Sequence, residues 1–351
     1  MRNARRGEGS NSLIMKILIG VLLVVIVVLL AVVFLQGEKE PSSDRDWGKE
    51  NTETETEGPK YDMETFVLFG VDSRENQLGA GTSSDSIMLI NLNHDLEEVR
   101  IVSIFRDTMV DMDPYIPQKL TYAHALEGSE FALKTINKNF DLNIKKYATF
   151  NFSSAGDVID ALGGVEMDIT VDETKYINGG IDEVNRIRGT SSPHITTPGK
   201  YTLDGTQAVA YSRIRYTDGG DFKRTERQRD VLFKMFQKVK AMGTEDRITF
   251  AEDFMDRIKT NYSTDRMTSL LYCMSQYNIV TMDAFPKVFY GGLVEENWVE
   301  VPATLIDMNR ELHKVLLLEE EYEPSEKVKE ISALLESKVD GPNFDLHKSE
   351  E

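Results

Sequence analysis

The sequence predicts an α/β domain whose sheet is covered on both faces, carried behind a single N-terminal membrane-spanning helix. Three observations lead there. Residues 65–71, 86–92 and 99–105 are short apolar runs rich in β-branched and aromatic side chains, separated by turn signals, and they read as central strands. Segments with helical spacing follow them, and strands mixed with helices of this length indicate helices on both sides of a sheet. Ahead of all this lie 19 consecutive uncharged residues, 17–35, in which Gly20 alone is not apolar.

A helix over 17–35 spans about 28 Å, close to the hydrocarbon thickness of a bilayer. Arg2, Arg5, Arg6 and Lys16 precede it and the segment after it is acidic. The positive-inside bias therefore assigns 1–12 to a cytoplasmic tail, 13–35 to the membrane, and everything later to the outside. A cleaved signal peptide is the competing reading. It calls for a shorter apolar region and a small-x-small site, and Q-G-E-K-E-P after Leu35 offers none. Residues 36–60 have almost no apolar side chain except Trp47, and T-E-T-E-T-E repels itself, so this stretch is an acidic, disordered tether.

The exported domain is expected over 61–310, with 311–351 as a charged C-terminal tail containing a weak helix at 324–338. A formal charge of −19 and an extracellular address do not suit nucleic acid. The single cysteine, Cys273, can form no intrachain disulfide and reads as a core thiol. An exported chain without disulfides fits a Gram-positive cell surface. The five histidines are scattered and show no zinc-ligand spacing.

Within the domain, Ala123, Leu126, Phe131, Leu133, Ile136 and Phe140 give helical spacing over 122–140. A strand near 147–151, a helix at 153–162, a turn at Gly163-Gly164 and a strand at 165–171 follow. A short helix is expected over 203–212, capped by Thr202 or Asp204. Further helical patterns lie at about 248–258 and 264–277, and a strand at 287–290.

The densest chemistry is S-R-I-R-Y-T-D-G-G-D-F-K-R-T-E-R-Q-R at 212–229, five arginines and a lysine in an acidic protein. The guanidinium fork matches phosphate oxygens two at a time, so such a cluster suits a polyanionic group. Val231, Leu232, Met235, Phe236 and Val239 form a helical apolar stripe. Projected backwards, Arg224 and Gln228 fall on it, while Lys223, Glu226 and Arg229 point outward and Arg227 sits at the edge. Arg224 and Gln228 either floor a pocket or merely frame the helix start. Asp221 is either the N-cap or a carboxylate set to take a proton.

Three other places put polar groups at strand ends: G-V-D-S-R at 70–74, S-S-D-S at 83–86 and S-I-F-R-D-T at 103–108. Asp72 and Asp85 can meet at neighbouring ends, where open α/β sheets keep their sites. Two carboxylates beside phosphates make a magnesium site. The competing reading has Asp85 turning the chain and Asp72 paired with Arg74. Arg106 and Asp107 are either a structural ion pair or the entrance to the site. Lys119 and His124, in K-L-T-Y-A-H-A, lie at a helix start that can add donors, and His124 reads as a core or capping residue rather than a catalyst.

In this order, F-V-L-F-G-V-D-S-R, G-x-x-S-D-S-I-M-L, S-I-F-R-D-T, K-L-T-Y-A-H-A, F-x-x-x-x-D-x-x-G-G-V and Y-S-R-I-R-Y-T-D-G-G-D-F-K-R-T-E-R-Q resemble the LytR-CpsA-Psr family of cell-envelope proteins. With the tail and anchor, the resemblance covers about 13–240. It implies a three-layer α/β/α domain with a mixed central sheet and a deep lipid-holding pocket. It also implies a phosphotransferase that moves a glycopolymer, such as teichoic acid or capsule, from a polyprenyl-diphosphate carrier to peptidoglycan. Asp72 and Asp85 would then bind Mg2+. Arg106, Arg213, Arg215 and Arg224 would grip the diphosphate, with Gln228 as a neutral donor and Arg74 and Lys119 as further candidates. Asp221, Arg106 and Arg224 are the catalytic candidates, Asp221 as base or as the group that orients Arg224. The chain departs from the family at Ser83, where arginine is common and which Arg74 can replace, and at Phe105, where proline is usual. Rival readings are a lipid-binding or sensing protein acting as an envelope regulator or transcriptional attenuator, and a pyrophosphatase. Metal-dependent turnover separates binder from enzyme, and the acceptor separates transferase from pyrophosphatase.

Overall fold

The computed structural model describes residues 61–73, 77–252, 257–273, 275–294, 296–339 and 343–349. The expected tail, membrane helix and tether over 1–60, and Arg74, lie outside the described residues. Among the described residues no helix is long and apolar enough to cross a membrane.

The three apolar runs form β1 (Met63–Val71), β2 (Ser84–Asn93) and β3 (Glu98–Ile104). Each pairs antiparallel with the next, Phe66 opposite Ile90 and Ile90 opposite Ile101. They are buried nearly end to end, which suits runs that are apolar on both faces. A small ribbon follows, β4 (Met109–Val110) with β5 (Gln118–Lys119). The helix expected over 122–140 is two, α1 (Leu120–Glu127) and α2 (Ser129–Phe140), separated by Gly128. Its φ of +86° is one that a residue with a Cβ adopts only at a cost.

β6 (Lys146–Asn151) pairs in parallel with β1. α3 (Phe152–Ala161) then starts on a capping box between Asn151 and Ser154. β7 (Val165–Ile169) stays out of the central sheet and pairs antiparallel with β8 (Gly199–Leu203) in a two-stranded ribbon. Between them lie α4 (Val171–Thr174) and α5 (Ile177–Arg188). α6 (Gly205–Tyr211) is capped by Asp204, not Thr202, with Gln207 closing the box. Next come α7 (Gly220–Lys240), α8 (Thr244–Glu252), β9 (Lys259–Thr260) and α9 (Thr264–Cys273). β10 (Asn278–Phe285) returns parallel to β3. The central sheet therefore runs β10-β3-β2-β1-β6-β9 and is mixed, as expected.

The chain continues through β11 (Val288–Val294), β12 (Asn297–Pro302), α10 (Leu305–Leu317), α11 (Glu326–Glu336) and β13 (Phe344–Lys348). β11 lies between β12 and β13 in a second, antiparallel sheet. This corrects the expected domain end at 310 and the charged tail over 311–351. Leu312, Leu316, Val328, Ile331 and Leu335 are at most 2% exposed and share a core with Val67, Phe69 and Leu89. The charges that made the segment look loose sit on the outer faces of amphipathic helices.

Alternate strand residues face opposite ways. Val67 and Phe69 of β1 meet α1, α2, α10 and α11, while Phe66 and Leu68 meet α3, α5, α6 and α7. α3 and α6 touch backbone to backbone: a Cβ on Gly205 would lie 1.9 Å from the Gly156 carbonyl oxygen. Cys273 is half-buried and packs against this second core.

Candidate functional site

On the α7 side the space under the sheet is not filled. A cavity of about 870 Å³ is lined from β1, β2, α3, α6 and α7, a size in the usual range for small-molecule sites. Leu68, Met88, Val158, Ile159, Val231 and Met235 give it apolar walls. Its polar lining gathers at one end of the sheet. Asp72 follows β1, Asp85 is near the start of β2, and Arg106 follows β3. Arg213, Arg215, Arg224 and Gln228 complete it from the segment joining α6 to α7 and from α7 itself. Tyr216, 78% exposed, lines the same end, which therefore opens to solvent.

A chain of charge contacts crosses this end. Lys119 Nζ lies 3.2 Å from Asp107 Oδ1, and Arg106 Nε 3.5 Å from Asp107 Oδ2. Arg106 Nη1 donates to Asp85 Oδ1 at 2.6 Å, and Arg215 Nη2 lies 3.5 Å from Asp85 Oδ2. Arg215 Nε is 3.7 Å from Asp221 Oδ1, and Arg224 Nη2 donates to Asp221 Oδ2 at 2.6 Å. Arg213 is held apart from this chain, donating to Glu183 Oε2 at 3.0 Å with its guanidinium 4.3 Å from the Phe152 ring centroid.

Arg224 is 2% exposed, yet its Nε and Nη1 have no hydrogen-bond partner among the described residues. Burial pushes its pKa down to about 10, although Asp221 opposes the shift. Buried donors left unpaired are costly, so these two point to an acceptor supplied by a ligand. Burial also disfavours the charge on Arg106, but Asp85 and Asp107 outweigh it and hold its pKa above the usual value.

Several expectations change here. Asp221 is not the N-cap of α7; Gly219 is, and Asp221 lies in the first turn. Its carboxyl is absent from the cavity lining and sits between Arg215 and Arg224. Burial raises its pKa against the pull of those arginines. Lys119 does not line the cavity either; it pairs with Asp107, which in turn lies against the cavity-lining Arg106. Arg224 and Gln228 both line it, so the pocket-floor reading of α7 holds. Ser83 lines it too. His124 is fully buried, with Nδ1 2.8 Å from the Thr82 carbonyl oxygen and Nε2 3.1 Å from Ser129 Oγ, and is a core residue. Phe105 is buried edge-on against Phe222.

Arg229 is half-buried with its Nη1 unpartnered among the described residues, correcting its outward assignment. Arg227 is not at an edge. It is 6% exposed and donates to Glu173 Oε1 at 2.7 Å, Thr217 Oγ1 at 2.7 Å and the Ile214 carbonyl at 3.2 Å. It thereby ties α4 and the loop after Arg215 to α7. Its place four residues before Val231, on the same helix face, was the available signal.

Asp72 and Asp85 both face the cavity. A register shift between Gly70 and Val71, opposite Ser86 and Ser84, leaves Asp85 in the irregular step, and the Asp72 N–H donates to the Ser83 carbonyl at 3.1 Å. No group of three or more His, Cys, Asp or Glu able to hold a metal occurs among the described residues. Asp72 and Asp85 are oxygen donors of the kind that would suit a hard cation beside an anion, with both Asp85 oxygens lying against Arg106 and Arg215 in this structure.

Known proteins share this chain's sequence and architecture. It is 28% identical over 203 residues to the polyisoprenyl-teichoic acid–peptidoglycan teichoic acid transferase TagU of Enterococcus faecalis, which covers 57% of this chain and 61% of that protein. The match thus spans less than two thirds of that relative's length. It is 29% identical over 213 residues to biofilm regulatory protein A of Streptococcus mutans, covering 57% and 49%. The fold matches that of the LytR-CPS2A-psr family protein YwtF (TagT) with bound octaprenyl pyrophosphate lipid, with a TM-score of 0.53, 22% identity and coverage of 75% and 93%. The model of the LytR_cpsA_psr family matches residues 31–293, most of the sequence, and the chain belongs to that family.

Proposed function

We propose that this chain is a membrane-anchored phosphotransferase. It takes a glycopolymer, such as teichoic acid or capsule, from a polyprenyl-diphosphate carrier and joins it to peptidoglycan through a phosphodiester bond. The observation that carries this reading is Arg224, a buried guanidinium with two donors unpartnered among the described residues, at the polar end of an apolar cavity. A polyprenyl tail suits the apolar walls and a diphosphate suits the arginines. The TagU relative is named as a transferase of this kind, and YwtF carries a polyprenyl pyrophosphate.

In this reading Arg106, Arg213, Arg215 and Arg224 bind the diphosphate oxygens, and Gln228 adds a neutral donor. Held in place before the reaction, these groups stabilise the charge that grows on the leaving polyprenyl phosphate. A peptidoglycan hydroxyl attacks the phosphorus bearing the glycan. The bond to the bridging oxygen breaks, and that oxygen leaves with the lipid phosphate, which takes up the proton lost by the hydroxyl. Asp221 orients Arg215 and Arg224, because both its oxygens are turned to them. Asp72 and Asp85 are the residues that would hold Mg2+, which when bound neutralises charge on the phosphate oxygens. The apolar stretch over 17–35 anchors the chain, and the tether keeps the domain outside a Gram-positive-type membrane near the lipid headgroups.

The test is incubation of the full chain in detergent with a polyprenyl-diphosphate-linked glycan, a peptidoglycan oligomer and Mg2+. Release of polyprenyl phosphate together with glycan-bearing peptidoglycan is the expected result. Lipid bound but not consumed would make the protein a binding or regulatory module, as the name of the Streptococcus mutans relative suggests for that protein. Glycan phosphate released to water would make it a hydrolase.

A further inference from the structure

β12 brings one more carboxyl to the charge network. Glu300 is 5% exposed, and its Oε2 is buried without a hydrogen-bond partner among the described residues. Its backbone N–H donates to the Asp107 carbonyl at 2.9 Å, and it bridges Thr108, so it is fastened to the segment that carries Arg106. Asp221 and Arg224 of α7 and Asp107 and Arg106 after β3 are the charged groups that weigh most on it, and β5, which carries Lys119, also packs against β12. Opposite it on β11 is Gly291, which brings no charge. Glu300 does not line the cavity and lies beyond the stretch matched by the family model.

We propose that Glu300 is a positioning residue for the arginine clamp, its charge deciding how fully Arg224 and Arg106 are offered to an anion in the cavity. The proposal rests on the diphosphate reading of that cavity. The linked network holds four cations, Lys119, Arg106, Arg215 and Arg224, against three carboxylates, Asp107, Asp85 and Asp221. An ionised Glu300 would add a further negative charge beside these arginines. Arg224 Nε and Nη1 and Arg106 Nε are the network donors without a hydrogen-bond partner among the described residues, and an ionised Glu300 would compete with a ligand for the positive charge of these two arginines. Burial, helped by Asp221 and Asp107 and opposed by Arg224 and Arg106, pushes the Glu300 carboxyl up to about 8. Near neutral pH it is therefore protonated and leaves the clamp positive. In mildly alkaline solution it ionises and competes with the ligand. By linkage, an anion that prefers the neutral form must also raise the affinity of Glu300 for its proton.

The experiment is calorimetric titration of the full chain in detergent with farnesyl diphosphate at about pH 7 and about pH 9, for the wild type and Glu300→Gln. Wild-type affinity should fall by up to about tenfold between the two, the most that one carboxyl of pKa about 8 can impose when binding favours its protonated form. Glu300→Gln, neutral throughout, should lose far less. Parallel profiles for the two proteins would overturn the role of Glu300 while leaving the diphosphate reading intact. No binding by either protein at either pH would overturn both. If Glu300→Gln does not fold, difference infrared spectroscopy of the wild type decides. The band of a protonated glutamic carboxyl should persist to higher pH when farnesyl diphosphate is present, and an unmoved titration would refute the proposal.

Discussion

Leu68 and Phe69 are neighbours on β1 that point into different halves of the molecule. Phe69 meets a filled core built from α1, α2, α10 and α11. Leu68 looks into the cavity of about 870 Å³ walled by α3, α6 and α7. One side of the sheet spends its apolar side chains on cohesion, and the other leaves room for a guest. The same contrast recurs within α7. Arg224 and Arg227 are both buried, but Arg227 has its donors satisfied by Glu173, Ile214 and Thr217 while Arg224 keeps two free of partners among the described residues. Burial of an arginine therefore does not reveal its role; for Arg224 it is the pairing of unpartnered donors with a place in the cavity lining that does.

This division of labour is open to direct attack. Arg227→Met should have the largest effect on stability, because it leaves Glu173 buried and unpaired. Breaking such a pair costs about 3–5 kcal/mol, to be read from denaturant unfolding. A loss within the range of a surface substitution would erase the distinction between the two arginines. On the filled side, Leu312→Ala should cost about 2–5 kcal/mol and leave the affinity of the folded protein for farnesyl diphosphate unchanged. On the cavity side the pattern reverses. Arg215→Ala and Arg213→Ala should each lower transfer by about 10²–10³-fold with a Tm near that of the wild type, and wild-type rates would remove that residue from the site. Gln228→Ala should show the smallest change, about 0.5–1.5 kcal/mol in lipid-diphosphate affinity, as for one neutral hydrogen bond.

The parts legible in the sequence were those with a local period. β1, β2 and β3 announced themselves as apolar runs, and the stripe from Val231 to Val239 carried Arg224 and Gln228 inward by simple projection. What escaped depended on partners distant in the chain or on composition that masked a pattern. α11 was expected as a weak helix over 324–338 but not as part of the core, and α10 was not expected, because charge masks the narrow apolar faces on which Leu312 and Val328 are fully buried. α5 was not expected at all. β7 alternates as a strand should, yet nothing in its residues says that it pairs with β8 rather than joining the central sheet. Asp221 has the chemistry of a cap, but the Gly219-Gly220 turn starts the helix before it. Glu300 gave no signal, because its place behind the clamp comes from the bridge to Thr108.

The central claim is that one cavity recognises both halves of an amphiphile, its apolar walls the chain and its arginine end the diphosphate. The most direct measurement compares the affinity of the full chain for farnesyl diphosphate, farnesol and inorganic diphosphate under identical conditions. At about 0.8 kcal/mol per buried methylene, and with charge-assisted bonds at the other end, farnesyl diphosphate should bind far more tightly than either fragment. Binding no tighter than farnesol, or no tighter than inorganic diphosphate, would contradict the account.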